Sequence, residues 1–357
     1  MELKLFNQDN IELLKTLPDN SIDSIVTDPP YGISFMGKKW DYDVPSVETW
    51  KECLRVLKPG GHILVACGTR TQHRMTVNIE DAGFEIRDIV AWVYGSGFPK
   101  SLNIGKAVDK LQGNEREVVG TEKIDIGMQS GSMHSGRSTN VIERDKTVGN
   151  SPYEGWGTAL KPAMELWTLA RKPLSEKNIA ENVLKWGTGG INIDGSRVGN
   201  ETISVHNAPK GTFAGGELDR GSDTSEYRLH NGRFPANVIH DGSDEVTDLF
   251  PKNVKGEIGR SNRKSGGNYN ATSYKVGVVT ENGYKDSGSA SRFFYCAKAS
   301  KSERNDGLDG FEEKENAGSY QFRTDGSLDG KPTNPKANFH PTVKPVALMR
   351  YLVKLIS

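Results

Sequence analysis

Apolar runs alternate with helical patterns through the first 95 residues, and this alternation constrains the fold more than any other feature. Strand patterns cover 22–27, 62–67 and 84–94, and helical patterns cover 11–17, 47–57 and 71–82. Strands that alternate with helices at this spacing predict right-handed βαβ units and a mostly parallel sheet. The predicted fold class is therefore α/β, with a further short strand expected at 3–6.

The regular pattern is lost in the second half of the chain. A strand is predicted around 166–170 and an amphipathic helix at 345–356, but 173–337 is dominated by Gly, Asn, Ser, Asp and charged residues. This composition favours long loops over a second apolar core. Lys and Arg total 46, as do Asp and Glu, so the formal net charge is zero. A nucleic-acid surface would therefore have to be a local basic patch.

Cysteine usage and hydropathy limit the class of protein. The three cysteines, Cys53, Cys67 and Cys296, lack Cys-x-x-Cys spacing, which argues against a zinc site and a disulfide framework and suits a reducing compartment. The sequence has no run of 18 apolar residues, and its first residues lack the pattern of a signal peptide. We therefore expect a cytoplasmic protein with no metal site and no membrane partner.

The string Asp28-Pro29-Pro30-Tyr31-Gly32 directly follows the strand predicted at 22–27. The two prolines end the strand and impose a rigid loop at its carboxyl end, which is where open α/β sheets bind ligands. Asp28 and the Pro29 carbonyl can accept the two hydrogens of an exocyclic amine, and Tyr31 can stack on the ring of a base. The alternatives are an ordinary turn and, for Tyr31, an aromatic ring packed in the core.

Two other features are candidates for binding. Asp9 precedes the helix predicted at 11–17, where it can either cap that helix or hydrogen-bond a ligand. The segment 292–304 combines aromatic and basic side chains, which suit base stacking and phosphate contact; a half-buried strand with a charged end is the alternative. The candidate DNA-binding residues in it are Arg292, Phe294, Tyr295, Lys298 and Lys301.

Five segments in this order resemble one protein family. Besides the proline loop at 28–32, they are 9–23, which contains Asp9, then 57–65, 97–101, 159–165, and His-Pro-Thr-Val-Lys-Pro at 340–345. The chain thereby resembles the β class of DNA amino-methyltransferases of the prophage or restriction-modification kind. These enzymes methylate adenine N6 or cytosine N4. The resemblance covers residues 1–172 and 338–357.

The resemblance implies a fold, a cofactor and site residues. The fold would be the Rossmann-like one of S-adenosylmethionine-dependent methyltransferases, with a catalytic core at 1–172, a target-recognition region at 173–337 and the start of a cofactor-binding half at 338–357. Asp28, Pro29, Pro30 and Tyr31 would be catalytic. Cofactor contacts would come from Asp9, His340, Thr342 and Lys344. Because Asp heads the proline loop, the resemblance favours adenine N6 as the methylated group, and cytosine N4 stays open. Methylation of RNA or of a protein glutamine side chain is a weaker alternative.

One departure from the family bears on activity. In the β class, the segment like 340–345 and its helix precede a strand and a glycine-rich loop that holds the methionine part of the cofactor. The nearest glycine cluster here, 187–190, follows a predicted helix and is expected to be its C-cap and loop. From the resemblance we expect a C-terminally truncated enzyme. The alternatives are an inactive DNA-binding fragment and half of an enzyme whose companion chain supplies the loop.

The implied partners follow from that activity. They are double-stranded DNA and a cognate restriction endonuclease. The target base would have to be flipped out of the base stack of the DNA to reach the site.

Overall fold

The structure is a computed structural model, and it describes residues 4–34, 41–95, 97, 101–125, 141–206, 227–252, 254–255, 287–297, 321–322, 328–329 and 343–357. The helices are α1 (Asn10–Thr16), α2 (Val47–Val56), α3 (Gln72–Asp81), α4 (Ile104–Gln112), α5 (Ile179–Trp186), α6 (Asp244–Thr247) and α7 (Val346–Ile356). The strands are β1 (Ile22–Thr27), β2 (Leu57–Gly68), β3 (Glu85–Val93), β4 (Glu117–Asp125), β5 (Val141–Val148), β6 (Met164–Arg171), β7 (Val198–His206), β8 (Tyr227–Arg233), β9 (Val238–His240), β10 (Val254–Lys255), β11 (Ser287–Gly288), β12 (Tyr295–Cys296), β13 (Gln321–Phe322) and β14 (Leu328–Asp329).

The chain divides into two compact units. The first comprises Met1–Gly95, Met164–Lys298 and Ala347–Ser357, and the second comprises Ser96–Ala163 and Ala299–Val346. The first unit contains the main sheet. The functional boundaries expected after residues 172 and 337 stay a prediction.

The main sheet has six strands in the order β1-β2-β6-β3-β9-β12. The pairs β1–β2, β3–β9 and β9–β12 are parallel, whereas β6 is antiparallel to both of its neighbours. Five strands therefore run in one direction and only β6 runs against them. The predicted α/β fold with a mostly parallel sheet is confirmed.

Helices cover both faces of this sheet. One core cluster lies between the sheet and helices α2 and α3, and includes Trp50, Ile63, Val65, Met75 and Ile79. The second cluster lies where α7 packs on the other face, and includes Leu64, Trp167, Leu348, Leu352 and Leu355. Alternate residues of β2 enter alternate clusters, as the two-residue period of a strand requires.

Several elements differ from their predicted bounds. The short strand predicted at 3–6 is wrong for the described residues 4–6, which have no regular structure, and Leu5 and Phe6 are exposed instead of packed. Strand β2 begins at Leu57, before the predicted residue 62. The N–H of Gly60 donates to the carbonyl of Lys172, and the N–H of Lys172 donates to the carbonyl of Gly61, so this end of β2 is paired as a strand.

The second unit contains α4, the β4–β5 hairpin and the loop that follows it. Asn103 caps α4 by accepting a hydrogen bond from the N–H of Lys106, and Gly113 ends the helix with φ of 69°. The Arg116 guanidinium donates to Glu154 at 2.8 Å and to Asp109, both carboxylates lying close to it. This nearly buried ion-pair cluster ties α4 and the hairpin to the loop around Glu154.

Within the described part of the chain, no helix is long and apolar enough to cross a membrane. Among these same residues, no group of three or more His, Cys, Asp or Glu side chains is placed to hold a metal ion.

Protonation of His62 is expected to destabilise the fold at acidic pH. His62 is buried opposite Arg171 in the β2–β6 pair, and burial lowers its pKa from 6.5 to about 4, with smaller contributions from Arg171 and Arg87. The unfolded chain then binds a proton below pH 6.5 that the folded chain does not bind until about pH 4. Above pH 6.5, His62 should therefore not reduce the free energy of unfolding. As the pH drops to about 4, that free energy should fall by about 3 kcal/mol.

Urea unfolding of the parent chain and of His62→Gln, measured between about pH 7 and pH 4.5, checks this expectation. The variant should lose less stability over that range than the parent chain. Equal losses in both proteins would mean that His62 is not the group responsible.

Candidate active site

The proline loop begins where β1 ends, at the carboxyl edge of the sheet. Asp28 is exposed, and Pro29, Pro30 and Tyr31 are half-buried. β1 itself pairs with β2 in parallel register from Ser24 to Thr27. The predicted catalytic residues therefore lie together at the edge where parallel strands of α/β sheets present ligand sites.

The buried carboxylate of Asp41 fixes the backbone of this loop. One oxygen accepts hydrogen bonds from the N–H of Tyr31 at 2.6 Å and of Gly32 at 2.9 Å, and the other accepts one from Ile33 at 3.4 Å. The N–H of Ser34 donates to the Asp41 carbonyl at 2.7 Å. With three bonds to its carboxylate and one to its backbone carbonyl, Asp41 holds four consecutive loop residues in one conformation.

Two further contacts constrain the loop. The Thr71 hydroxyl donates to the Tyr31 carbonyl at 2.5 Å. Gly32 has φ of 67°, and a Cβ there would lie 2.8 Å from the backbone nitrogen of Val44. Only glycine fits this position without strain. The loop is therefore preorganised by Thr71 at the N-cap of α3, by residues 41–44 and by its own glycine.

Tyr31 connects the loop to the core and to Asp28. Its ring packs against both core clusters, and its hydroxyl donates to Oδ1 of Asp28 at 2.8 Å. Burial raises the pKa of the phenol above its ordinary value, and the negative charges of Glu165 and Asp28 raise it further. Tyr31 is therefore a hydrogen-bond donor that orients Asp28. Its predicted stacking on a base stays a prediction.

Sequence reasoning did not select two acidic residues that the structure brings to this site. Asp41 is buried and bonded to the loop, although it lies 10 residues beyond Tyr31. Glu165 lies on β6 directly opposite Gly68 of β2 and Trp92 of β3. For Glu165 a signal was present, since a carboxylate is the second residue of a mostly apolar strand. No local pattern marked Asp41.

Of the four residues predicted to contact a cofactor, the structure describes two. Asp9 caps α1, because its Oδ1 accepts hydrogen bonds from the N–H of Ile11 at 2.9 Å and of Glu12 at 3.2 Å. This is one of the two roles that the sequence allowed, and its cofactor contact stays a prediction. Lys344 lies just before α7, while His340 and Thr342 lie outside the described residues.

Three of the five predicted DNA-binding residues lie in the described segment 287–297. Arg292 is in a 3-10 helix (Ala290–Phe293), where its guanidinium donates to the carbonyls of Gly288 and Ser289. Tyr295 stacks on Tyr351, with ring centroids 3.8 Å apart. Phe294 meets Phe250, with ring centroids 5.3 Å apart.

All three of these side chains therefore have contacts within the protein. Lys298 and Lys301 lie outside the described residues. The DNA contacts of these five residues stay a prediction.

Three proteins that are similar in sequence to this chain are all type II methyltransferases. The model of the N6/N4 DNA methylase family matches residues 22–112, which include the proline loop. The type II methyltransferase M.HindIII of Haemophilus influenzae is 30% identical over 288 residues, spanning 68% of this chain and 80% of that protein. M.HpaI of Haemophilus parainfluenzae is 33% identical over 31% of this chain and 38% of that protein. M.BamHI of Bacillus amyloliquefaciens is 36% identical over 17% of this chain and 16% of that protein.

The chain thus spans well under two thirds of M.HpaI and M.BamHI but most of M.HindIII.

Solved structures are more distant from this chain than these sequence relatives. The cytosine-N4-specific PvuII DNA methyltransferase is 15% identical, with a TM-score of 0.25 over 50% of this chain and 52% of that one. On the strength of the M.HindIII alignment, the chain belongs to the family of N6-adenine and N4-cytosine DNA methyltransferases.

Proposed function

We propose that this chain transfers a methyl group from S-adenosylmethionine to the exocyclic amine of a base in DNA, at a specific site, with adenine N6 favoured over cytosine N4. The observation that carries the proposal is the rigid Asp28–Tyr31 loop at the carboxyl end of β1, in a chain of this family. The Asp at the head of the loop supports adenine, by resemblance to the family.

The chemistry proposed for the loop is alignment of the amine. The Asp28 carboxylate and the Pro29 carbonyl accept the two amine hydrogens, which turns the nitrogen lone pair out of conjugation with the ring. The hydrogen bond from Tyr31 fixes Oδ1 of Asp28 at 2.8 Å, so that the carboxylate is oriented before the base arrives. Alignment of this kind needs no covalent intermediate on the protein.

The residues at this edge fit the proposed cofactor. S-adenosylmethionine supplies a methyl group bound to a cationic sulfur, which is already a strong electrophile. The loop offers the Asp28 carboxylate beside the Tyr31 ring, and carboxylates and aromatic rings both favour a cation. Asp9, His340, Thr342 and Lys344 remain the proposed contacts for the rest of the cofactor.

Duplex DNA is the proposed substrate. The target base would have to be flipped out of the stack to reach the Asp28 loop. Arg292, Phe294, Tyr295, Lys298 and Lys301 are proposed to belong to the DNA-binding region. A cognate restriction endonuclease is the further partner that the type II names of the relatives suggest.

Transfer of labelled methyl from S-adenosylmethionine to unmethylated DNA tests the proposal. We expect label in the DNA with the parent chain and none with Asp28→Ala. Asp81→Ala, an exposed carboxylate on α3, is the matched control and should retain activity. Failure of the parent chain to label DNA of diverse sequence would contradict the proposal.

A further inference from the structure

Glu165 is a carboxylate in a row of apolar side chains. Along one face of β6 the residues are Leu169, Trp167 and then Glu165, and the first two belong to the second core cluster. Glu165 is half-buried, and its Oε2 is excluded from solvent. A charged group in such a position is costly to bury, which favours a functional role over a packing role.

The sheet register places Glu165 beside the proline loop. Glu165 is the cross-strand partner of Gly68, and paired residues of neighbouring strands point to the same face. A Cβ on Gly68 would lie 3.3 Å from Cδ2 of Tyr31, so the Tyr31 ring covers this glycine. The Glu165 side chain therefore emerges next to Tyr31, which in turn is bonded to Asp28.

The charge of Glu165 reaches the aromatic groups of this edge. Burial, followed by the Glu165 charge, raises the pKa of Tyr94 to about 12. Glu165 also raises the pKa of Tyr31, after burial and ahead of Asp28. Both shifts follow from the position of the Glu165 carboxylate at the point where the loop meets the sheet.

We infer that Glu165 is a second carboxylate of the methyl-transfer site, and that its negative charge stabilises the positive charge that the target amine acquires during the reaction. This inference rests on the proposed function. Asp28 would contact the amine, whereas Glu165 would act through space from beneath Tyr31.

The charge balance of the transfer shows why a second carboxylate helps. The amine nitrogen uses its lone pair to form a bond to the methyl carbon, while the bond from that carbon to sulfur breaks and its electron pair stays on sulfur. The nitrogen then carries a positive charge until one amine proton passes to Asp28 and from there to water. A fixed negative charge in a site of low dielectric lowers the energy of that state.

The test is a comparison of kcat, KM for DNA and DNA affinity in Glu165→Gln, Glu165→Asp and the parent chain. Glu165→Gln keeps the shape and removes the charge, so kcat should fall about tenfold. KM and the dissociation constant for DNA should not rise, since the proposed role of Glu165 beneath Tyr31 involves no contact with DNA. Glu165→Asp keeps the charge and should recover most of kcat. Glu80→Gln, an exposed carboxylate on α3, is the matched control and should change neither kcat nor KM.

The outcomes separate this inference from the proposed function. Unchanged kcat in Glu165→Gln with an active parent chain would overturn the inference alone. So would weaker DNA binding, or a thermal midpoint that falls by many degrees along with kcat, because each would indicate a structural role. A parent chain that labels no DNA would overturn the proposed function and this inference with it.

Discussion

Asp28→Asn is expected to lower the rate of methyl transfer by about 10²-fold or more. The asparagine would keep the shape of the side chain but would offer a weaker, uncharged acceptor to the amine. It would also lose the ionised partner of the Tyr31 hydroxyl, which lies 2.8 Å from Oδ1. Asp28 is exposed and does not cap either helix that flanks the loop in the chain, α1 or α2, so the fold should change little.

Single-turnover rates with saturating DNA measure this effect without interference from product release. Asp81→Asn provides the matched change at an exposed position of α3. If Asp28→Asn reacts as fast as the parent chain, then Asp28 does not hold the amine.

Asp41→Asn is expected to lower kcat by a comparable factor, although Asp41 does not contact the reacting groups. The carboxylate of Asp41 accepts three backbone hydrogen bonds, from Tyr31, Gly32 and Ile33. An amide there would present an N–H to at least one of these donors, and the loop would leave its conformation. Since displacement of a reacting group by about 1 Å can cost about 10²-fold in rate, kcat should fall by about 10²-fold.

Hydrogen exchange at the amides of Tyr31 and Gly32 separates loop release from global unfolding. These amides should be protected in the parent chain and exchange rapidly in Asp41→Asn, while the amides of β2 stay protected. Asp43→Asn is the control, because the Asp43 side chain is exposed and accepts a local hydrogen bond from the N–H of Val44. A variant with unchanged loop protection but lost activity would contradict the positioning role of Asp41.

Elements with strong local signals could be predicted from the sequence. The α3 pattern ends at Gly83, which has φ of 106°, and α5 ends at Gly187, which has φ of 76°. Both glycines occupy the left-handed region that few other residues adopt at a helix end. The amphipathic pattern of α7 likewise matches the buried residues Leu348, Leu352 and Leu355.

Features that depend on distant pairing could not be predicted. β6 inserts between β2 and β3 and runs against both, and nothing in its own residues specifies those neighbours. The position of Glu165 depends on that insertion.

The half-buried strand that the sequence allows in 292–304 is limited, among the described residues, to Tyr295–Cys296 for a local reason. Ser289 accepts a hydrogen bond from the N–H of Ser291, and Arg292 donates to nearby carbonyls, so a 3-10 turn replaces the start of the strand.

The identity of the methylated nucleoside tests the central claim most directly. DNA incubated with the parent chain and S-adenosylmethionine would be digested to nucleosides and analysed by mass spectrometry, with Asp28→Ala treated in parallel. The proposed function predicts a methyl group on an exocyclic amine and its absence in the variant; the Asp at the head of the loop favours N6-methyldeoxyadenosine, whereas N4-methyldeoxycytidine would keep the amine chemistry and overturn the adenine preference. A methyl group on a ring carbon, as in 5-methyldeoxycytidine, or no methylated nucleoside at all, would contradict the account.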